Sequence, residues 1–303
     1  MPYRLITLLA LCFPALCLAD ALPIAQAAPG IYVHHGLHKD IDAGYGGDIC
    51  NIGFIVGSRG VAVIDSGGSP KIGGQLREAI RKVTDLPILY VINTHVHPDH
   101  IFGNAAFKAD HPTFVGHEKL AAAMAQRKDG YLRNQDEWVG ADAAGSEIIP
   151  PTLAVKTTQT LDLGDRTLLL TAYPAAHTHA DLTVLDSATE TLWTGDLLFV
   201  GRTPSIDGDI KGWLAVIAQL QNAPANLAIP GHGPVPQDWH AALNDEQRYL
   251  AKLLEEVRSA IKQGKTMEQT MDHASQDEHD KWALFDIVNR RNINGIFPAL
   301  EWE

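Results

Sequence analysis

Four side chains of the kind that bind transition metals lie within six positions of the sequence. They are His95, His97, Asp99 and His100, in the stretch INTHVHPDHIFGN that covers residues 92–104. Imidazole nitrogen and carboxylate oxygen are common ligands of catalytic zinc, and a pair of such ions can activate a water molecule for hydrolysis. The stretch therefore predicts a hydrolytic metal centre.

The spacing inside this stretch predicts ligands for two neighbouring metal ions. The apolar run LPILYVINTH, 86–95, is typical of a buried strand that ends near His95. Because residues two apart in an extended chain face the same side, His95 and His97 can point at one metal. Pro98 suits the first turn of a helix, so the chain changes direction there and Asp99 and His100 can face a second point.

Three further candidate ligands follow later predicted strands. They are His177 in AAHTHADL, Asp196 in LWTGDLLF and His232 in IPGHGPV. Each lies where a strand is expected to end, which is where α/β folds build their sites. We therefore expect all seven side chains to meet at one edge of the fold.

The elements that position these residues alternate between strand pairs and helices. Hairpins are predicted over 51–68, 155–175 and 181–196, helices over 71–83 and 211–222, and a mainly helical region over 237–294 with an amphipathic helix that stops at Gly264. Strand pairs interleaved with helices predict an α/β protein of αββα layering, in which helices cover two sheets, with a helical C-terminal extension.

The ordered ligand set resembles that of the metallo-β-lactamase-fold hydrolases. This family carries a His-x-His-x-Asp-His motif followed by a His, an Asp and a His, and the resemblance covers residues 48–233. It implies a first metal bound by His95, His97 and His177, and a second bound by Asp99, His100 and His232, with Asp196 bridging both. It also implies that Asp65, in VAVIDSG, is a structural residue behind the ligands.

The chemistry that the resemblance implies is hydrolysis by a metal-bridging hydroxide. Two Zn²⁺ ions, or iron as the alternative, would be the cofactor, and Asp99 would be the catalytic residue that passes a proton to the leaving group. The chain contains no G-x-S-x-G motif, so a serine nucleophile is not expected.

Several activities stay open within this family. Class B β-lactamases with two zincs usually carry Cys or Ser where Asp196 stands, whereas glyoxalase II, lactonases and phosphodiesterases carry a bridging Asp. Persulfide dioxygenases share much of the ligand set and bind one iron. Glyoxalase II binds its thioester through basic residues of a C-terminal helical part, and the comparable charges here are expected to form a solvated helix face: Lys252, Arg258, Lys262, Arg290 and Arg291.

A narrower resemblance is to the quinoprotein relay system zinc metallohydrolases. It depends on the phrase VINTHVHPDHIFGNAAF, on the N-terminal segment and on the length of 303 residues. It implies a quinoprotein dehydrogenase or cytochrome as partner. The alternative function from another class is a metal-binding partner of such a system, without turnover.

The N-terminus predicts export. Residues 1–19 have an early Arg4, an apolar run and a small Ala19 before Asp20, as in a signal peptide cleaved after Ala19, and the run is too short for a membrane anchor. We expect a periplasmic or secreted protein, with an N-terminal segment 20–47, a catalytic domain 48–235 and a helical extension 236–303 packed on it. Only Cys50 would remain after cleavage, as a buried structural thiol.

The net charge of the chain restricts the kinds of partner that the protein can bind. A formal net charge of −12 argues against nucleic acid and against anionic membrane surfaces as partners. The small-molecule substrate that we expect is implied by the hydrolase resemblance. Tyr131–Trp138, predicted to follow a helix, is a candidate lid over the metals. His179 is expected to be an exposed loop residue, and the segment with His34, His35 and His38 an ordinary edge strand.

Overall fold

Two facing β-sheets form the centre of the fold in the computed structural model, which describes residues 20–303. The predicted signal peptide, residues 1–19, lies outside the described residues. The first sheet contains, in spatial order, β1 Ala25–Ala28, β2 Ile31–His34, β3 Ile52–Val56, β4 Val61–Ile64, β5 Ile88–Ile92, β6 Thr113–His117 and β7 Leu153–Val155. The second contains β8 Thr158–Asp162, β9 Thr167–Ala172, β10 Leu182–Asp186, β11 Thr191–Phe199 and β12 Leu227–His232, in the spatial order β12-β11-β10-β9-β8.

Helices cover the outer faces of both sheets. The α-helices are α1 Pro70–Val83, α2 Pro98–Ile101, α3 Leu120–Val139, α4 Ile210–Leu220, α5 Trp239–Lys262, α6 Met267–Met271 and α7 Phe285–Leu300. Short 3₁₀ helices span Phe102–Asp110, Gly140–Ala143 and Gln276–Lys281. Among the described residues, no helix is both long and apolar enough to cross a lipid bilayer.

Three apolar layers hold this arrangement together. Between the sheets, Ile64 and Ile92 of the first sheet pack with Leu170 and Trp193 of the second. The outer face of the first sheet packs against α1, and the outer face of the second packs against α4, α5 and α7. Strand β4 is buried at all four positions because both of its faces are covered, and this explains its continuous apolar sequence. The predicted αββα sandwich with C-terminal helices is confirmed.

The parallel strands of each sheet place several strand ends at one edge of the fold. Strands β1–β4 pair antiparallel, β4–β7 pair parallel, and β11 pairs parallel with β12. Parallel neighbours end at the same edge, so the segments after β5 and at the ends of β11 and β12 can meet. Helix α5 begins at the N-cap Asp238 and stops just before Gly264, whose φ of +70° suits glycine, as the sequence predicts.

Three local predictions were wrong. Strand β5 ends at Ile92, so the residues from Asn93 to His97 form a loop. Tyr131–Trp138 lies inside α3 rather than after it, because the helix continues through Gly130, although glycine costs about 1 kcal/mol relative to alanine in a helix interior. The strand containing His34 is not at an edge, since β1 pairs with it on the outside.

Candidate metal centre

All seven predicted ligands meet at one edge of the sandwich. Side chains from both sheets contribute: four follow β5, one lies between β9 and β10, one lies in β11 and one ends β12. Six of the seven are almost fully buried, and His97 is partly exposed. Six of the donor side chains form two groups that share Asp196, namely His95, His97, His177 and Asp196, and His100, Asp196 and His232. The seventh, Asp99, lies with Cys50 and His100 in a third group beside them.

The first group has the dimensions of a tetrahedral zinc site. His97 Nδ1 lies 3.2 Å from His95 Nε2 and 3.0 Å from His177 Nε2. The carboxylate of Asp196 places Oδ2 3.3 Å from His177 Nε2 and 3.7 Å from His95 Nε2. A tetrahedron with metal–ligand bonds of about 2.1 Å has edges of about 3.4 Å. The four donors therefore fit one ion of this size.

The second group has matching dimensions. His100 Nε2 lies 3.2 Å from Asp196 Oδ1 and 3.5 Å from Asp99 Oδ2. His232 Nε2 lies 3.4 Å from Asp99 Oδ2 and 3.2 Å from Asp196 Oδ2. Two imidazoles and two carboxylates thus surround a second point beside the first.

Asp196 belongs to both groups because of a local irregularity in β11. The prediction that a strand ends before Asp196 was wrong: the residue lies within β11, where the pairing with β12 shifts register around Gly195. Gly195 has φ +52°, a conformation that favours glycine. A Cβ on Gly231 of the neighbouring strand would lie 1.9 Å from Asp196 Oδ1, so only glycine leaves room for this carboxylate.

His95 and His97 reach one point from a loop. They do so with different ring nitrogens, Nε2 of His95 and Nδ1 of His97. His97 is the N-cap of α2 with extended backbone angles, and Pro98 begins the helix as predicted. The change of direction at Pro98 then turns Asp99 and His100 toward the second group.

The second nitrogen of each imidazole is held by an acceptor, which fixes the tautomer. His177 Nδ1 donates to the carbonyl of Ser205 at 2.6 Å, and His232 Nδ1 donates to the carbonyl of Ile49 at 2.7 Å. His95 Nδ1 lies 3.0 Å from Thr94 Oγ1. These contacts leave the unprotonated Nε2 of each ring facing the centre, as metal ligation requires.

Carboxylates orient the two remaining imidazoles. His100 Nδ1 donates to Asp65 Oδ2 at 2.8 Å, and Asp65 also accepts hydrogen bonds from the backbone N–H and hydroxyl of Thr94. His97 Nε2 donates to Asp207 at 2.9 Å, and Asp207 pairs with Arg127 at 2.8 Å. Asp65 therefore occupies the supporting position that the family resemblance implies. Asp207 and Ser205 were missed by sequence reasoning, because both act from a loop without any motif.

Two buried donor atoms in the centre have no protein partner. His100 Nε2 and Asp196 Oδ1 lie 3.2 Å apart and are both shielded from solvent, yet neither has a hydrogen-bond partner. Leaving a buried polar group unpaired costs about 1–3 kcal/mol, and more for a charged group. A metal ion between them would satisfy both atoms, so the donor set fits metal binding.

The histidines of the two groups differ in their pKa. Burial lowers the pKa of His95 well below its ordinary value and lowers that of His177 to about 3. Burial also acts to lower the pKa of His100, but the charges of Asp196, Asp99 and Asp65 outweigh it and raise that pKa well above its ordinary value. The second group therefore takes up a proton more readily than the first.

Cys50 is buried beside the second group. Its thiol donates to the backbone carbonyl of Asp99 at 2.8 Å, and it is 1% exposed. Burial raises the pKa of the Cys50 thiol well above its ordinary value. A neutral thiol that holds the Asp99 backbone matches the predicted structural role.

A cavity of about 420 Å³ opens onto the centre. Its floor is formed by the candidate ligands His97, Asp99, Asp196 and His232. Its walls come from α3, from the loop after β11, from the N-terminal segment and from α7. The wall residues are Arg127, Tyr131 and Trp138; Arg202 and Ser205–Asp207; Asp40 and Ile41; and Arg291, Asn294 and Gly295. The candidate lid residues Tyr131 and Trp138 thus form one wall, as part of a helix.

The other candidate residues do not belong to the donor groups. His179 is exposed, as expected. His34 is buried and bonded to Asp48 and to the carbonyl of Pro23, which is a structural role. Of the five basic residues in the C-terminal helices, only Arg291 lines the cavity. Three others form surface ion pairs, namely Lys252 with Glu256, Arg258 with Glu303, and Arg290 with Asp272.

Known proteins share this fold and sequence pattern. Residues 45–232 match the family model of the metallo-beta-lactamase superfamily. A probable metallo-hydrolase of Streptococcus pyogenes serotype M6 is 29% identical over 197 residues, which cover 61% of this chain and 79% of that protein.

Solved structures agree in fold at low sequence identity. A metallo-beta-lactamase family protein of Thermus thermophilus matches 91% of this chain and 95% of its own, with a TM-score of 0.67 and 17% identity. The sec-alkylsulfatase Pisa1 of a Pseudomonas species matches 92% of this chain and 50% of its own, with a TM-score of 0.66 and 16% identity. A metallo-beta-lactamase of Pontibacter korlensis matches 76% of this chain and 99% of its own, with a TM-score of 0.59 and 20% identity.

Proposed function

Since this chain belongs to the metallo-beta-lactamase superfamily, we propose that it is an exported binuclear zinc hydrolase. Its substrate is a small molecule with an ester, thioester or amide bond. The family match and the similarity to a probable metallo-hydrolase support a metallo-hydrolase.

The observation that carries the proposal is the position of the Asp196 carboxylate. Its oxygens lie 3.2–3.3 Å from His100, His177 and His232, so one side chain serves both donor groups. Asp196 would therefore contribute an oxygen ligand to each of two neighbouring ions, which together would supply an activated hydroxide. The donor set contains only nitrogen and oxygen, which suits zinc.

Residues of the protein would transfer the proton and bind the substrate. When bound, the two ions lower the pKa of a shared water and polarise the bond under attack. Asp99 is 2% exposed, lines the cavity, and can accept a proton from the nucleophile and return it to the leaving group. The walls from α3 and α7 hold the substrate and limit the access of bulk water.

We propose further that the protein is exported and that it has a protein partner. The form of residues 1–19 supports a periplasmic or secreted protein, and the resemblance of the extended motif supports an association with a quinoprotein dehydrogenase or its cytochrome. N-terminal sequencing of the exported fraction should return Asp20. Recovery of a chain that begins at Met1 would contradict the export proposal.

Metal analysis followed by a substrate screen tests the function. We expect about two zinc ions per chain, and hydrolysis of at least one compound among thioesters, lactones, phosphodiesters and β-lactams. An Asp196→Ala variant is the control, because it removes the shared carboxylate and should abolish turnover. One iron and no zinc would favour a persulfide dioxygenase-like enzyme. Two zincs without hydrolysis of any class would favour a metal-binding partner.

A further inference from the structure

One wall of the cavity above the metal centre is apolar. It begins at Pro98, inside the ligand motif, and continues through Tyr131 and Trp138 of α3 to Ile41 of the N-terminal segment. Tyr131, Trp138 and Ile41 are half-buried, so part of each side chain is free to face the cavity. The wall therefore offers a substrate an apolar surface that starts next to the candidate metal ligands.

The helical spacing of the two aromatic residues places them side by side. Tyr131 and Trp138 are seven positions apart, which is about two turns of an α-helix, so they share one face of α3. Their ring centroids lie 6.1 Å apart, with an angle of 60° between the ring planes. The ring of Tyr131 also lies 6.3 Å from the fully buried ring of Phe102, at 54°. The three rings thus form one row along the wall.

Buried neighbours hold both rings in place. Tyr131 packs against the buried apolar cluster that contains Ile101 and Met124. Trp138 packs against a second buried cluster, which contains Ile49. Each ring therefore has one packed side and one side that is left for a ligand.

Helix α3 is anchored between the two rings. Gln135 is buried, and its side-chain amide donates to the carbonyl of Gly68 at 2.8 Å. The carbonyl of Glu137 accepts a hydrogen bond from the N–H of Gly44 at 3.2 Å, which ties the helix to the N-terminal segment. A wall that is already fixed in this way loses little conformational entropy when a ligand packs on it.

The arginines of the cavity are balanced within the protein. Arg127 pairs with Asp207 at 2.8 Å, and Arg291 pairs with Asp40 at 2.8 Å. Arg202 faces three carboxylates, one of which belongs to Asp40. Because each guanidinium has a carboxylate near it, the part of the substrate that lies beyond the metals needs no charge of its own. The surface that is left for this part is the apolar wall.

We propose that the substrate carries a planar aromatic ring beside the bond that is hydrolysed, and that Tyr131 and Trp138 bind this ring. Aromatic rings in contact prefer offset-stacked or edge-to-face arrangements, which two fixed rings can offer to a third. Tyr131 and Trp138 are then specificity-determining residues. The inference rests on the proposed function for the reaction, whereas the ring site itself can be measured by binding.

The binding of two small acids tests the ring without turnover. Hydrocinnamate and cyclohexanepropionate have the same acid chain, but the first ends in a phenyl ring and the second in a saturated ring. A wall that selects only for apolar surface favours the saturated ring, because its apolar surface is larger. We expect calorimetry with the zinc-loaded protein to show the opposite order. Hydrocinnamate should bind about 2- to 10-fold more tightly, the range for aromatic contacts.

Leucine variants assign this preference to the two rings. Tyr131→Leu and Trp138→Leu keep an apolar side chain but remove a ring, so each should lower the preference by a factor of about 2–3. The variant with both changes should bind cyclohexanepropionate at least as tightly as hydrocinnamate, whereas Tyr131→Phe keeps the ring and should keep the preference. Trp302→Leu is the matched control, because Trp302 is exposed and does not line the cavity. If a leucine variant fails to fold, the order of the two acids on the wild type still decides whether an aromatic ring is selected.

Two pairs of thioesters extend the test to turnover. The hydrocinnamoyl and cyclohexanepropionyl thioesters of N-acetylcysteamine carry the ring in the acyl part. The thioacetates of phenylethanethiol and cyclohexylethanethiol carry it in the leaving group. We expect kcat/KM to favour the phenyl compound about 2- to 10-fold in at least one pair, and the variant that lacks both rings to lose this advantage.

The outcomes separate the ring site from the reaction. If no thioester is hydrolysed but the wild type prefers hydrocinnamate and the variant that lacks both rings does not, the ring site stands and thioester hydrolysis fails. If thioesters are hydrolysed, yet saturated rings bind and react at least as well as phenyl rings, or neither acid binds, the hydrolase stands and the ring site is wrong. A preference that survives the loss of both rings overturns the assignment to Tyr131 and Trp138.

Discussion

Asn292 donates its side-chain amide to the carbonyl of Pro204 at 2.7 Å. Its Oδ1 also accepts a hydrogen bond from the N–H of Ile206 at 2.9 Å. One buried side chain of α7 is therefore hydrogen-bonded to the loop on both sides of Ser205. The carbonyl of Ser205 in turn accepts the Nδ1–H of His177. The C-terminal extension thus helps to orient a ligand of the first metal group, although it contributes no ligand itself.

Asn292→Ala should weaken the first metal group. The loop loses two hydrogen bonds that anchor it, and loss of a partner behind a ligand typically lowers metal affinity about 10- to 100-fold. Competition with a chromogenic chelator measures this affinity. Asn289→Ala is the control, because Asn289 is equally buried but bonds to Tyr249 and the carbonyl of Ala274 instead of the loop. Equal metal affinity in both variants would show that the loop does not depend on Asn292.

Asp65→Asn should weaken the second metal group selectively. Asp65 has φ +53°, a conformation that asparagine tolerates, so the backbone should be preserved. The amide lacks the negative charge that holds His100 Nδ1–H. Its NH₂ group, which can only donate, also replaces one of the two oxygens that accept hydrogen bonds from His100 and Thr94. We expect about 10- to 100-fold weaker binding of the second ion. The first should be affected less, because Asp65 reaches His95 only through the hydroxyl of Thr94. Zinc titration followed by calorimetry would resolve the two steps, and equal weakening of both would refute the assignment.

Asp99→Asn should separate metal binding from chemistry. The first ion, with His95, His97 and His177, should be retained and the second weakened, while turnover falls on the order of 10²- to 10⁴-fold because proton transfer is lost. His179→Ala should change turnover little, since His179 is exposed. Both variants are assayed on the substrate found in the screen. Full activity of Asp99→Asn with two ions bound would make the non-catalytic function the better explanation.

Acidification should release the two ions in order. The pKa of His100 is raised by Asp196, Asp99 and Asp65 despite its burial, so protons compete for the second group as the pH falls below that raised pKa. Burial lowers the pKa of His177 to about 3 and lowers that of His95 as well, so protons compete for the first group only at much lower pH. Metal content after dialysis at decreasing pH should fall in two steps, with the second group emptied first. Release of the first ion before the second would contradict this order.

The sequence predicted which side chains converge, because their order resembles that of a known family and most of them lie near strand ends. The motif from His95 to His100 is local, whereas the approach of His177 and His232 to it is a tertiary contact that the resemblance implied. Asp196 also lies in the converging set, but its strand was predicted to end too early, because the irregularity at Gly195 depends on pairing with β12.

The supporting residues could not be predicted for the same physical reason. Asp207, Ser205 and Arg202 act from an irregular loop, and Asn292 reaches that loop from a helix 88 residues further along the chain than Pro204. Contacts of such sequence separation leave no periodic pattern. The helix before Tyr131 was predicted to end too early, since α3 continues through Gly130 to Val139.

The two donor groups also have a mechanical consequence, since each takes side chains from both sheets. His95 and His97 follow β5 of the first sheet, whereas His177 and Asp196 belong to the second. An ion bound there is a cross-link that closes a long chain loop, and closing a loop in the folded state alone stabilises that state. Among the described residues Cys50 is the one cysteine and it is free, so no disulfide performs this task. The free energy of unfolding should therefore increase with the concentration of free zinc, and the availability of the metal would govern how long the folded chain survives.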